Sequence, residues 1–258
     1  YTILVVDDNP DMTDFLKRTF EGYFKRIIIA GDGVEALQLV RSHVPDIIVS
    51  DVMMPRMNGY KLCKTIKEDI NISHIPVILL TARDDRQSQI SGYKNGADGY
   101  LSKPFEVEML MELIRNRLKN REYTKKRYLN AGLIPTPEES TISLTDETFL
   151  IKLNSIIQEN IENSNLGIQF ICQEVGLGRS SLYNKLKALT GMGANEYISK
   201  LRIEKAITLI SGTDMPFSEI AEKTGFTTPS YFSTAFKQYT GETPSQYKER
   251  KKKGLADK

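Results

Sequence analysis

Residues 46–59 read DIIVSDVMMPRMNG. An apolar run, Asp46–Ser50, reads as a strand that ends at a carboxylate, Asp51, and a helix follows over Tyr60–Asp69. The same unit recurs on both sides. Thr2–Val6 is an apolar run ending in Asp7-Asp8, followed by helical spacing through Met12, Phe15, Leu16 and Phe20 over Asp11–Phe24. Ile27–Ala30 is a second strand, and Gly31-Asp32-Gly33 starts a helix over Val34–Val40. Val77–Leu80 precedes a helix over Arg86–Asn95, and the short strand Gly99–Leu101 precedes a helix over Glu106–Leu118. Continuously apolar strands alternating with helices predict an α/β fold with a parallel five-stranded sheet covered on both faces.

In such a sheet the working site lies beyond the C-terminal ends of the strands. The polar residues at those ends are Asp7 and Asp8, Asp51, Thr81 and Lys103. An aspartate after a strand is often only the N-cap of the next helix. Capping does not account for all five positions converging on one edge. Three carboxylates brought together repel one another and call for a cation, and oxygen-only ligands suit Mg2+.

DDNPD at 7–11, DVMMPRMNG at 51–59, LLTA at 79–82 and YLSKPF at 100–105 resemble the bacterial response-regulator receiver family, over roughly residues 1–120. The resemblance implies a flavodoxin-like strand order, 2-1-3-4-5, and a phosphoryl group taken by Asp51 from a histidine kinase. It implies Asp8 as a direct Mg2+ ligand, Asp7 acting largely through water, and the Met53 carbonyl completing the metal site beside Asp51. A carboxylate nucleophile forms an acyl phosphate, and Mg2+ offsets the charge between it and the incoming oxygens. Lys103 would supply a fixed cation, Thr81 a hydroxyl for a phosphoryl oxygen, and Tyr100 an aromatic that turns inward with Thr81. A static, half-buried ring is the other reading of Tyr100. By the same analogy Lys103-Pro104 would be cis. The bulky Met53 and Arg83 would flank the path of hydrolytic water, which predicts a long-lived phosphate.

Composition is that of a soluble globular protein long enough for two domains: 258 residues, 40% hydrophobic and 26% charged. The overall charge of +2 hides an asymmetry. Residues 1–118 carry 15 Lys/Arg against 17 Asp/Glu, and residues 119–258 carry 20 against 16. The acidic part suits a cation and the basic part a polyanion. Cys63 and Cys172 have no Cys or His at metal-ligand spacing, which fits a reducing cytoplasmic compartment. No run approaches a membrane span and no signal peptide is visible, so no membrane contact is expected from this segment. Tyr1 leads straight into a strand, which reads as a piece cut from something longer.

Lys119–Arg127 is highly charged and Pro135-Thr136-Pro137 cannot continue a helix. Residues 1–120 therefore read as one domain, 121–145 as a linker, 146–250 as a helical domain and 251–258 as a mobile basic tail. The helical domain contains an echo. Ile171 and Gly176 return as Ile220 and Gly225; Leu182, Leu186, Lys187, Thr190-Gly191 and Tyr197 return one residue later as Phe232, Phe236, Lys237, Thr240-Gly241 and Tyr247. Each copy reads as a helix-turn-helix: Gln169–Val175 with Arg179–Leu189, then Phe217–Thr224 with Pro229–Tyr239. Asn195–Ser211 is a connecting helix, with Ile198, Leu201, Ile207 and Leu209 at helical spacing.

The wording of the echo resembles the AraC/XylS-type DNA-binding domain over about 146–250. Leu186 stands where the family has Phe, and Met-Gly-Ala follows Thr190-Gly191 in place of x-Thr-Pro. The resemblance implies two recognition helices entering successive major grooves of double-stranded DNA. With Leu182, Leu186 and Leu189 inward, Ser180, Tyr183 and Asn184 face out as base readers, with Arg179 and Lys187 nearer phosphates. With Phe232 and Phe236 inward, Pro229, Ser230, Tyr231 and Thr234 face out, with Lys237 at the backbone. Surfaces poor in Arg favour thymine-methyl contact and shape readout over bidentate guanine contacts.

The two halves together imply a transcriptional regulator, not an enzyme. Phosphate on Asp51 would promote receiver pairing into a homodimer, favouring direct-repeat or paired DNA sites. A second reading makes the chain the output segment of a membrane-bound hybrid histidine kinase. A hydrolase acting on outside substrates is opposed by the DNA-binding half, and a phosphate-independent receiver by the complete five-residue site.

Overall fold

The computed structural model describes residues 1–82, 96–130 and 143–256, with side chains described within 1–82, 96–126 and 143–252. Arg83, the helix expected over Arg86–Asn95 and the prolines of the expected linker lie outside the described residues. The chain divides into two compact units, and the later division falls between Thr148 and Phe149, inside one helix.

In the first unit the strands are β1 (Thr2–Val6), β2 (Arg26–Ala30), β3 (Ile47–Asp51), β4 (Val77–Ala82) and β5 (Gly99–Lys103). All neighbours are parallel, in the order β2-β1-β3-β4-β5. The helices are α1 (Pro10–Phe20), α2 (Gly33–His43), α3 (Gly59–Glu68) and α4 (Val107–Asn130). Alternate strand residues serve opposite faces. Leu4, Val6, Ile48, Val77 and Leu79 meet Ala36, Val40, Leu62, Cys63 and Ile66. Ile3, Val5, Val49, Ile78 and Leu80 meet Leu16, Phe20, Leu110 and Ile114. Each Val, Leu, Ile or Phe side chain among them contributes roughly 1.5–3 kcal/mol on leaving water. Phe15, grouped by spacing with the inward residues of α1, is exposed.

The helix starts are fixed by side chains at the β–α turns. Asn9 accepts from the Asp11 N–H, Asp32 from those of Val34 and Glu35, and Asn58 from that of Lys61. These caps satisfy backbone donors that the helices cannot. The first unit also includes the opening turn of α5 (Leu144–Glu159). There the buried Ser73 hydroxyl donates to Asp146 at 2.7 Å, and the Thr145 hydroxyl donates to the Lys67 carbonyl at 2.9 Å.

After the remainder of α5, every described element of the second unit is a helix: α6 (Ile168–Val175), α7 (Arg179–Thr190), α8 (Ala194–Gly212), α9 (Phe217–Lys223), α10 (Pro229–Thr240) and α11 (Pro244–Ala256). The sequence echo is an echo in space. Ile171 and Ile220, Leu182 and Phe232, Leu186 and Phe236, and Tyr197 and Tyr247 are all buried. Gly176 and Gly225 both turn through left-handed φ values, 72° and 71°, where a side chain is strained. On α8 the buried face runs through Tyr197, Leu201, Ile203, Ala206 and Ile210, while Ile207 and Leu209 are only half-buried.

The basic run expected to be a mobile tail is instead helical through Ala256. Thr243 and Gln246 form a reciprocal cap at its start, the Thr243 N–H donating to Gln246 Oε1 at 2.9 Å and the Gln246 N–H to Thr243 Oγ1 at 3.3 Å. Lys248 reaches Asp214 at 3.3 Å and Arg250 reaches Glu242 at 2.7 Å. These pairs lie on the surface of α11, whose Lys251 and Lys252 are exposed.

Candidate functional site

Parallel register brings the ends of β1, β3, β4 and β5 to one edge, and there the expected residues meet. The Lys103 ammonium lies between two carboxylates, 2.9 Å from Asp7 Oδ2 and 2.5 Å from Asp51 Oδ1. The Lys103-Pro104 bond is cis. Asp7 and Asp51 are buried; Asp7 Oδ1 also accepts from the Asn9 N–H and Asp51 Oδ2 from the Met53 N–H, at 2.9 and 2.7 Å. Burial pushes the Asp51 carboxyl above its ordinary range; Lys103 and the Met53 N–H pull the other way, and the charge of Asp7 adds to the rise. Burial works against the charge on Lys103, but its bonds to Asp51 and Asp7 outweigh that and raise its pKa.

Thr81 is buried, its hydroxyl donating to the Ala82 carbonyl at 2.9 Å. Tyr100 is half-buried against the cluster that contains Val77 and Leu79. The Met53 side chain is 72% exposed, open to whatever approaches Asp51.

The three-carboxylate cluster is not preformed. Asp8 is exposed, and among the described residues no three His, Cys, Asp or Glu side chains stand together as metal ligands. Lys103 neutralises one charge of the Asp7–Asp51 pair. The donor chemistry nonetheless fits Mg2+: three carboxylates against one ammonium leave two negative charges, the donors are oxygens, and Asp8 is free of packing constraints.

The turn after β3 is held by contacts that sequence reading did not single out. A Cβ at Gly59 would lie 2.2 Å from the Asp51 carbonyl oxygen, and one at Gly33 2.6 Å from the Met57 carbonyl oxygen. Here backbone passes over backbone with no room for a side chain. The Ser50 hydroxyl donates to the Asp51 carbonyl at 2.8 Å. Arg56 pairs with the cap residue Asp32.

In the second unit the described surfaces of α7 and α10 carry the expected groups. Arg179, Ser180, Tyr183 and Lys187 are exposed and Asn184 is half-buried, while Leu182, Leu186 and Leu189 are buried. Pro229, Ser230, Tyr231, Thr234 and Lys237 are all exposed, with Phe232 and Phe236 beneath them. Two groups are partly committed within the fold: the Thr234 hydroxyl donates to the Ser230 carbonyl at 3.0 Å, and Arg179 to Gln169 at 3.2 Å. Thr228 caps α10 by accepting from the Tyr231 N–H. Lys185, also on α7, is fully buried, its ammonium 5.1 Å from the Phe149 ring centre. Position in a polar, exposed-looking stretch gave no sign of this.

Comparison with known proteins assigns both halves. The family described as "Response regulator receiver domain" matches residues 3–115, and that described as "Helix-turn-helix domain" (HTH_18, AraC-type) matches residues 171–250. "Histidine kinase P4" of Formosa agariphila is 41% identical over 96% of this chain, which spans 18% of that protein's length. "Response regulator MprA" of Mycobacterium sp. (strain KMS) is 36% identical over 58% of this chain, which spans 69% of it. Among solved structures, the receiver domain of Francisella response regulator 1452 is 38% identical, with a TM-score of 0.42, over 46% of this chain and 97% of that one. Among the described residues no helix is long and apolar enough to cross a membrane.

Proposed function

The chain belongs to the response regulator family, as a two-component regulator with an AraC-type DNA-binding output, and on that premise we propose that a histidine kinase controls it through phosphoryl transfer to Asp51. The observation that carries this reading is the Lys103 ammonium shared between Asp7 and Asp51 at the C-terminal sheet edge.

The step is an in-line displacement. A lone pair of the Asp51 carboxylate attacks phosphorus, an O–P bond forms, and the N–P bond of the donor phosphohistidine breaks with its electrons returning to the imidazole. The Met53 N–H and Lys103 orient the carboxylate, and Lys103 stands ready to pair with a phosphoryl oxygen. Asp7, Asp8, Asp51 and the Met53 carbonyl would hold Mg2+, which when bound supplies charge neutralisation between carboxylate and phosphate. The Thr81 hydroxyl would exchange the Ala82 carbonyl for a phosphoryl oxygen, and the half-buried Tyr100 would follow. A contact made only in the phosphorylated state is what a two-state switch requires.

In the output domain α7 and α10 would enter successive major grooves, with Ser180, Tyr183, Asn184, Pro229, Ser230, Tyr231 and Thr234 at bases and Arg179, Lys187 and Lys237 at phosphates. Phosphorylated chains would pair as homodimers on paired sites in double-stranded DNA. The test is labelling by acetyl phosphate with Mg2+, followed by intact-mass measurement. The wild-type chain should gain one phosphoryl group and Asp51→Asn none; labelling retained in Asp51→Asn sinks the assignment.

A second reading has one observation in its favour. The likeness to histidine kinase P4 runs across both domains, 96% of this chain. On that reading the chain is the output segment of a hybrid kinase. A kinase-coding frame continuous with the codon for Tyr1 would establish it, and a start codon immediately upstream would exclude it.

A further inference from the structure

Arg202 lies in the middle of α8, the helix that connects the two helix-turn-helix units, and it is 8% exposed. Its guanidinium donates to the Asn163 carbonyl at 2.7 Å. Asn163 belongs to the loop that follows α5 and leads into α6, so this bond ties α8 to the entrance of the first helix-turn-helix. The same guanidinium lies 5.9 Å from the Phe226 ring centre, in the turn of the second helix-turn-helix. Among the described residues it pairs with no carboxylate. A second α8 cation, Lys205, reaches Glu162 of the same loop at 3.1 Å.

The two echoing glycines show that this joint belongs to one unit only. A Cβ at Gly176 would meet nothing within 4 Å. A Cβ at Gly225 would lie 2.2 Å from the Ile161 carbonyl oxygen and 2.9 Å from the Arg202 guanidinium. The turn of the second helix-turn-helix is thus pressed onto the loop that opens the first, with Arg202 filling the angle between them. A buried arginine is ordinarily paired with a carboxylate. This one bridges two backbone segments that belong to different DNA-reading units, and its Nε has no hydrogen-bond partner among the described residues.

We infer that Arg202 is a positioning residue that locks the second helix-turn-helix unit against the first, and so sets the distance between the two DNA segments the chain can contact. The inference rests on the DNA-binding reading above. Arginine is suited to the task because its planar fork reaches two partners in fixed directions, which an ammonium cannot do.

The experiment uses the whole chain and a duplex selected by the wild type from a randomised library, with hydroxyl-radical footprinting and circular dichroism. Wild type should protect two segments about one DNA turn apart. Inserting two or three base pairs between them should weaken its binding about tenfold or more. Arg202→Lys and Arg202→Met should keep wild-type affinity for a duplex carrying one segment. They should lose protection of the other and respond to the insertions less than about threefold. A variant that keeps the wild-type spacing profile overturns the inference. So does loss of one-segment and two-segment binding together, which would mark Arg202 as a prop for the fold. If the wild type selects no duplex, the DNA-binding reading itself fails and this inference with it. If it protects only one segment, the DNA-binding reading stands and the rigid pair does not.

Discussion

Gly59 makes a sharp residue-scale prediction. Its missing side chain is what lets the chain cross the Asp51 carbonyl. Gly59→Ala should cost about 1–3 kcal/mol, the range for overpacking, and should slow labelling of Asp51 in the folded fraction. Urea unfolding and acetyl phosphate labelling on one preparation would show both. Thr81 predicts a different signature. Thr81→Ala removes a hydroxyl now bonded to Ala82, not to Asp51. It should therefore accept phosphate while its DNA affinity no longer responds to it. A DNA affinity that still rises on phosphorylation would place the switch elsewhere. The site residues were legible in sequence because each sits where a strand ends, a position that periodicity locates. Their supports were not. Gly33 and Arg56 act through contacts between segments distant in sequence, as does Arg202 at its own joint, and the bond from Ser50 to its neighbour Asp51 has no signature in residue type.

At the scale of elements, helix ends carry the measurable energies. Thr228 caps α10. Thr228→Ala should cost about 1 kcal/mol and should weaken DNA binding more than the matching loss of a cap outside the recognition helices, such as Thr243→Ala on α11. Asp69 closes α3, receiving bonds from Arg41 and Asn71. Burial raises its pKa, but those bonds outweigh it and set the folded value below the unfolded one. Its contribution is therefore present above the unfolded pKa of about 3.9 and is lost as pH falls through the folded value. Asp69→Asn should lower the melting temperature at pH 7 by a small amount, as for exposed pairs of under about 1 kcal/mol, and the difference should vanish in strong acid. Most elements could be read within a few residues because strand and helix periods are local. Phe15 and α11 could not. Phe15 repeats at helical spacing, yet it lies outside the arc the sheet covers. The basic run of α11 pairs with Asp214 and Glu242, partners that lie outside the run itself.

At the scale of the whole molecule, the two units are separate compact bodies, and each holds one of the chain's two cysteines. Cys63 lies in the core between the sheet and α3, where burial pushes its thiol up to about 12. Cys172, on α6, is half-buried. A brief pulse of iodoacetamide at pH 8 should therefore leave Cys63 untouched in the native chain while Cys172 gains label slowly. Rapid alkylation of Cys63 would contradict the packing of the first unit. The pairing has a practical consequence. An adduct on the Cys63 peptide reports opening of the first unit, and labelling of the Cys172 peptide above its native rate reports opening of the second, so the chain carries its own two-channel clock of local unfolding, readable without any dye, tag or engineered probe.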